Sequence, residues 1–407
     1  MKIEIENSFD SYIRNRELNN LKIHLNPKTL LPIQFKNSIQ FQYHVYSCQF
    51  STNGNYCYVA TQDHSIAFYD TSDLTFRPSI KFKASRGRWT ITDHAISPDN
   101  RFIAYSSLVP YINLAQISED GFTLEEGSQR ILDFKENGNG FAIWSVRFSG
   151  DGQELVAGSN DESIYVYNIE LGKLLHRIEG HTEDVNSVAY IDPKDPNVLV
   201  SGSDDNMIKI WDRRSMGKMG SRPAGLLIGH TEGITHLSAK GDGRYIVSNG
   251  KDQTMKVWDI RRMKSADFDH EGCRLTHMSW DYRWQHYPRR TPRKHPHDNS
   301  VRTFQGHSVL RTLIRCYFSP VYSTGQRYVY TGSADGFIYI YSLEGDEIIK
   351  IDTTVDSTTD EEELDDDYSY YDGQNLVRDV SWHPFAPVLI CSQWSQGGGG
   401  KVLSFEK

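Results

Sequence analysis

The stretch "IKIWDRRS", residues 208–215, alternates apolar and polar side chains up to Trp211 and then turns through Asp212 and two arginines. That alternation has the period of a β-strand, and the polar run after it closes the strand. "MKVWDIRR", residues 255–262, repeats the design with different letters. Both copies place an arginine two positions after the Asp, as Arg214 and Arg261. The Trp-Asp strand end defines a repeating unit, whereas the arginine is a second regularity that strand formation does not require.

Outward from these strands, three landmarks recur. An Asp in a tight turn precedes by six residues the aromatic that ends a strand, at Asp63/Tyr69, Asp161/Tyr167, Asp205/Trp211, Asp252/Trp258 and Asp335/Tyr341. Gly-His stands before another strand at His181, His230 and His307. Turn signals close that strand in "STNGN", "SPDN", "SGDGQ", "IDPKDPN", "KGDGR", "SPVYSTG" and "HPFAP", which makes seven units. Units of about 40–45 residues with Gly-His and Trp-Asp punctuation predict an all-β fold, a seven-bladed WD40 β-propeller. Radial packing of blades leaves only short, protected sheet edges.

The seventh unit lacks a fourth strand before the chain ends, so a segment within residues 30–42 is expected to close the ring. The predicted organisation is a short N-terminal segment (1–29), with a helix as one reading of it, and a propeller (30–407). Insertions are expected at about 263–303, between blades five and six, and at 352–374, between blades six and seven. The second unit, "SSLVPYINLAQIS", lacks both the turn Asp and the terminal Trp.

Charge is unevenly distributed. The net −9 comes almost wholly from "DSTTDEEELDDD" (356–367); without its eight carboxylates, 45 acidic residues face 44 basic ones. A nearly neutral body lacks the basic excess of a nucleic-acid binder, so nucleic acid is not an expected partner. Five scattered cysteines without CxxC pairs predict reduced thiols and a nuclear and cytoplasmic location rather than a disulfide framework. No run is apolar enough to span a membrane, and no targeting segment is visible.

His181, Ser201 or Ser203, Asp205 and Trp211 carry the residue types of a catalytic triad. The set recurs as His230, Ser248, Asp252 and Trp258, and a catalytic centre has no reason to repeat blade by blade. The expectation is a buried hydrogen-bonded network, extended to His307 and Asp335 in blade six. No catalytic residue is expected, because no unrepeated polar cluster near the channel is legible. Cys273 and His277 have ligand-like spacing but no second cysteine pair, so a solvated loop is preferred to a zinc site; no metal or cofactor is expected. "PRRTPRKHP" (288–296) reads either as a solvated basic loop or as an import or nucleic-acid patch. The acidic run reads as a self-repelling loop, with a grip on a basic partner or phosphorylation at Ser357, Thr358 or Thr359 as alternatives. Arg214 and Arg261, at the same offset in consecutive units, project from one rim as paired five-donor forks and form a plausible hot spot for a protein partner.

Trp-Asp-x-Arg in adjacent repeats resembles the docking box of WD40 substrate receptors for cullin-4 RING ubiquitin ligases. "LLPIQF", "DDNMIKIWDRR", "GITHLSAKGDGRYIVSNGKDQTMKVWDIRR", "WDYRWQ", "GHSVLRTLIRCYFSPVYSTGQ" and "VRDVSWHPF" are similar to one branch, containing the animal WD-repeat receptor numbered twenty-three and plant LEC14B-like proteins. The resemblance implies a receptor that brings target proteins to the ligase and performs no chemistry on a small-molecule substrate. It implies that Arg214 and Arg261 contact the ligase adaptor, the propeller-built damage-specific DNA-binding subunit. It also implies an ordered "WDYRWQ" and a helix before the propeller, for which residues 9–25 are the candidate. A WD40 scaffold in RNA processing or chromatin is the rival reading, in which the two arginines are dispensable.

Overall fold

The computed structural model describes residues 31–72, 76–84, 87–118, 128–135, 140–216, 222–268, 280–288, 294–354, 375–395 and 399–407. The candidate helix at 9–25, Cys273, His277 and the acidic run lie outside them.

Seven four-stranded antiparallel sheets make the described fold, confirming the predicted propeller. Blade four consists of Val185–Asp192, Asp195–Ser203, Ile208–Asp212 and Gly225–Leu227; blade five of Ile234–Ala239, Tyr245–Gly250, Thr254–Asp259 and Arg302–Phe304. The closing strand is Gln34–Phe41, which pairs antiparallel with Gly400–Glu406 and completes blade seven from the other end of the chain. First strands pack on one another around the axis from blade one to blade six, the second and third strands of blade six meet the first strand of blade seven, and blade seven meets blade one through Val45–Phe50 and Leu376–Trp382. Closure leaves no blade with an unpaired neighbour.

The core is divided among the blade interfaces rather than gathered at the centre. One cluster joins Val156, Ile164 and Val166 of blade three to Val185, Val188 and Trp211 of blade four; another joins Ile208 and Ile210 to Ile234, Ile246 and Trp258. A blade is therefore buried on both faces, and Tyr56–Thr61 is buried at every position. In blade four the Gly-His landmark has a steric reason. A Cβ on Gly180 would run into the Trp211 indole, so only glycine lets the chain cross the ring.

The first insertion sits within blade five, not between blades five and six as the repeat interval suggested. Its third strand, Thr254–Asp259, pairs with Arg302–Phe304, which follows the insertion. Four buried free cysteines (Cys48, Cys57, Cys316 and Cys391) agree with the expected reduced thiols. Among the described residues no helix is long and apolar enough to cross a membrane.

Candidate functional site

The two Trp-Asp-x-Arg segments fold into the same small device. Buried Trp211 and Trp258 anchor the strand ends. The next residue, Asp212 or Asp259, caps a single 3-10 turn by accepting from the backbone N–H two positions on. That turn brings the arginine back over the same carboxylate. Arg214 donates from Nε and Nη2 to Asp212 at 2.9 Å each, and Arg261 from Nη2 to Asp259 Oδ2 at 3.0 Å. The side chains remain 59 % and 63 % exposed. The hydrogen bond from Arg214 holds the Asp212 carboxyl below its usual range. Each fork is thus pre-oriented, with little rotamer freedom left to lose on binding.

The forks differ in surroundings. Arg214 has a second carboxylate, Asp195, at 3.4 Å, whereas Asp259 also accepts from Arg244, so Arg261 shares its anion with another cation. Arg213, the neighbour that sequence alone could confuse with Arg214, turns inward onto Glu154 of blade three at 2.6 Å.

The expected buried network is present in blades four and five. Trp211 Nε1 donates to Ser201 Oγ (2.8 Å), Ser201 Oγ lies 2.7 Å from His181 Nε2, and His181 Nδ1 lies 2.8 Å from Asp205. Trp258, Ser248, His230 and Asp252 repeat it. Ser201 is the working hydroxyl; Ser203 instead donates to Glu183 O and accepts from Asp205 N. Burial alone would raise the Asp205 carboxyl, but His181 and Lys209 hold it well below the usual range, while burial lowers His181.

Blade six departs from this expectation. His307 Nδ1 meets Tyr341 OH at 3.0 Å and its Nε2 meets Asn249 at 3.2 Å, while exposed Asp335 accepts from Tyr339 OH at 2.7 Å. A phenol in place of indole carries its hydroxyl directly to the imidazole. Thr331, at the position of Ser201, donates to backbone carbonyls instead. His307 and Asp335 therefore belong to two separate sets of contacts.

Sequence reasoning also missed an unrepeated polar cluster on the innermost strands. Arg315 of blade six bonds Asp93 of blade two (2.8 Å) and Asp379 of blade seven (3.3 Å). Arg147 of blade three takes the other oxygen of Asp93 at 2.5 Å, and Tyr317 and Gln49 complete Asp379. The signal was available as charged residues within otherwise apolar strands, but strand pattern does not reveal which will meet. Burial raises Asp93 but Arg147 and Arg315 outweigh it and keep it ionised, while burial lowers His94 to about 3. The cluster ties blades across the ring.

A cavity of about 1490 Å³ opens at one end of the axis. Asp204 and Lys251, in the turns that begin the third strands of blades four and five, line it. Those strands run from the mouth to Arg214 and Arg261, so the forks stand on the opposite face, roughly 17–20 Å away along the strand. The insertion covers part of the mouth through "WDYRWQ", held by Arg311 N donating to Tyr282 O (2.8 Å) and by Lys251 over the Tyr282 ring (4.2 Å). This segment is a third Trp-Asp-x-Arg box. Arg283 donates to Asp281 from Nε (2.9 Å) and Nη2 (2.8 Å), and its side chain is 61 % exposed. Farther along, Lys294 and His295 of the basic cluster pack beside a buried Lys256–Asp298 pair (2.8 Å). No group of metal-binding side chains occurs among the described residues.

Comparison with known proteins agrees with the repeat fold. The WD domain, G-beta repeat family matches residues 35–70, 129–168, 172–212, 221–259 and 298–342. A LEC14B homolog from Prunus armeniaca is 43 % identical over 359 residues, covering 86 % of this chain and 70 % of the relative. The LEC14B protein of Lithospermum erythrorhizon is 43 % identical over 373 residues, covering 89 % and 72 %. A Caenorhabditis elegans protein named DDB1- and CUL4-associated factor 11 homolog is 31 % identical over 408 residues, covering 94 % and 66 %.

Proposed function

Because the chain belongs to the WD40-repeat family of LEC14B-like proteins, we propose that it is a substrate-recognition subunit of a cullin-4 RING ubiquitin ligase. It docks on the propeller-built adaptor through Arg214 and Arg261 and presents target proteins for ubiquitination. The observation that carries the reading is the pair of forks at matched positions on adjacent blades, exposed and pre-oriented by Asp212 and Asp259. A relative is named for association with DDB1 and CUL4. Two rigid guanidiniums a blade apart suit bidentate capture of carboxylates or backbone carbonyls on a flat partner. The chain itself acts by binding and performs no catalysis, in the nucleus and cytoplasm.

The test is a pull-down from native lysate with the wild-type chain and the Arg214→Ala/Arg261→Ala double variant, both shown to be folded. Retention of adaptor and cullin by the wild type and their loss by the variant supports the proposal. Identical partners without cullin for both proteins would sink it in favour of a non-ligase scaffold.

A further inference from the structure

The floor of the mouth holds a buried arginine that, among the described residues, no carboxylate pairs with directly. Arg378 of blade seven is 5 % exposed. Its Nε donates to Thr312 Oγ1 (3.0 Å), its Nη1 to Tyr46 O, and its guanidinium lies over the Tyr46 ring at 4.9 Å. Among the described residues Nη2 has no hydrogen-bond partner, is not an enclosed orphan atom, and belongs to a residue lining the cavity. Burial and nearby Arg315 lower its pKa to about 10. A buried cation beside another cation, with one donor edge left open to a cavity, is the arrangement an incoming anion stabilises.

The opposite wall has the reverse character. Trp144 of blade three donates its indole N–H to Asp184 at 3.0 Å, and Glu183 stands beside it. Asp204 next to them is neutralised by Lys251 at 2.7 Å, so Glu183 and Asp184 remain as excess negative charge. An indole beside two carboxylates favours a cationic side chain. Burial raises the Asp184 carboxyl, and Asp204 and Glu183 add to this, which a docked cation would reverse. Between the poles the rim is aromatic, with Trp89 and Trp284 exposed by 52 % and 75 %. Such rings on a rigid scaffold give contact area at low entropic cost.

We propose that this mouth, on the face opposite the Arg214/Arg261 rim, is the target-binding site, and that it takes an extended peptide segment carrying an acidic residue for Arg378 and, on its other side, a basic residue for the Trp144–Asp184–Glu183 wall. The word "target" rests on the ligase reading; the peptide preference does not. With forks and mouth at opposite ends of the same strands, adaptor and target are held simultaneously without competing for surface.

A phage-displayed library of random linear peptides, panned on the full chain, tests the charge pattern directly. The expected consensus contains one acidic and one basic position flanking apolar ones. Panning on Arg378→Met is expected to lose the acidic preference and keep the basic one, and panning on Glu183→Gln/Asp184→Asn to do the reverse. The selected peptide, titrated by fluorescence anisotropy, should weaken at least tenfold when its acidic residue is replaced by the amide. Absence of a consensus, or one that is purely acidic, purely basic or purely apolar, overturns the proposal, as does a preference unchanged in the variants. The wall variant changes only exposed or half-buried amide-isosteric positions and decides the matter should Arg378→Met not fold. Because panning needs no adaptor, a failed mouth with a successful cullin pull-down, or the converse, separates this inference from the ligase reading.

Discussion

Blades four and six carry the same sequence punctuation and are wired differently. Both have Gly-His, a turn Asp and an aromatic ending the third strand. In blade four these form one continuous chain from Trp211 to a buried Asp205. In blade six the chain stops at Tyr341, and Asp335 faces solvent. The glycines show the same divergence. A Cβ on Gly180 collides with the Trp211 indole, whereas one on Gly306 would find its neighbours no nearer than 3.8 Å. An indole reaches over the glycine and needs a serine relay to the histidine, while a phenol puts its own hydroxyl there. One exchange of aromatic therefore decides whether the turn Asp is a buried anchor or a surface acid.

The largest expected effect tests that difference directly. Asp205→Ala leaves Lys209 and His181 without their buried anion and is expected to cost ~3–5 kcal/mol in denaturant unfolding. Asp335→Ala, which loses the Tyr339 hydroxyl contact and the turn bond from Phe337 N at an exposed site, is expected to cost about 1 kcal/mol or less. Equal losses would mean that the two blades do not differ as described.

Acid sharpens the comparison from the histidine side. Burial lowers His307 to about 4 from its ordinary 6.5. The unfolded chain then binds more protons between those values, so this stabilisation is complete above pH 6.5 and lost as pH falls toward 4. At most ~3 kcal/mol is at stake. Melting temperatures of wild type and His307→Gln, followed from pH 7 to 4, should converge as the wild type loses this contribution; parallel curves would refute it.

Tyr341→Phe removes the hydroxyl that meets His307 (3.0 Å) and donates to Gln305 O (3.1 Å). It is expected to cost ~1 kcal/mol in unfolding, more than Asp335→Ala; the reverse order would place the weight of blade six on its Asp after all. At the small end, Arg214→Ala/Arg261→Ala should leave the melting temperature unchanged, because both side chains bond only to their own rim. A clear drop would make these arginines fold supports rather than docking forks.

The landmarks in the sequence were enough to count blades, find the closing strand at 34–41 and choose Arg214 and Arg261, because each is a local pattern with a fixed spacing. The third fork was equally plain as "WDYR", but only the placement of the insertion showed it on the other face. The link between Asp93, Arg315 and Asp379 joins residues 222 and 64 positions apart, beyond any periodicity. Arg378 is likewise an ordinary arginine in "VRDVSW" until the ring closes around it.

By itself, then, the sequence determined the repeat, the strand pattern and the matched offset of Arg214 and Arg261, all of which are set within a few residues. The pre-orientation of the two forks by Asp212 and Asp259 came from the structure. The tertiary structure decided that the insertion belongs to blade five, that His307 and Asp335 part company, and that a buried guanidinium opens onto the mouth. Those outcomes depend on which side chains from distant blades share one desolvated space. There the balance of burial against pairing is struck between neighbours in three dimensions, and chain order carries no record of it.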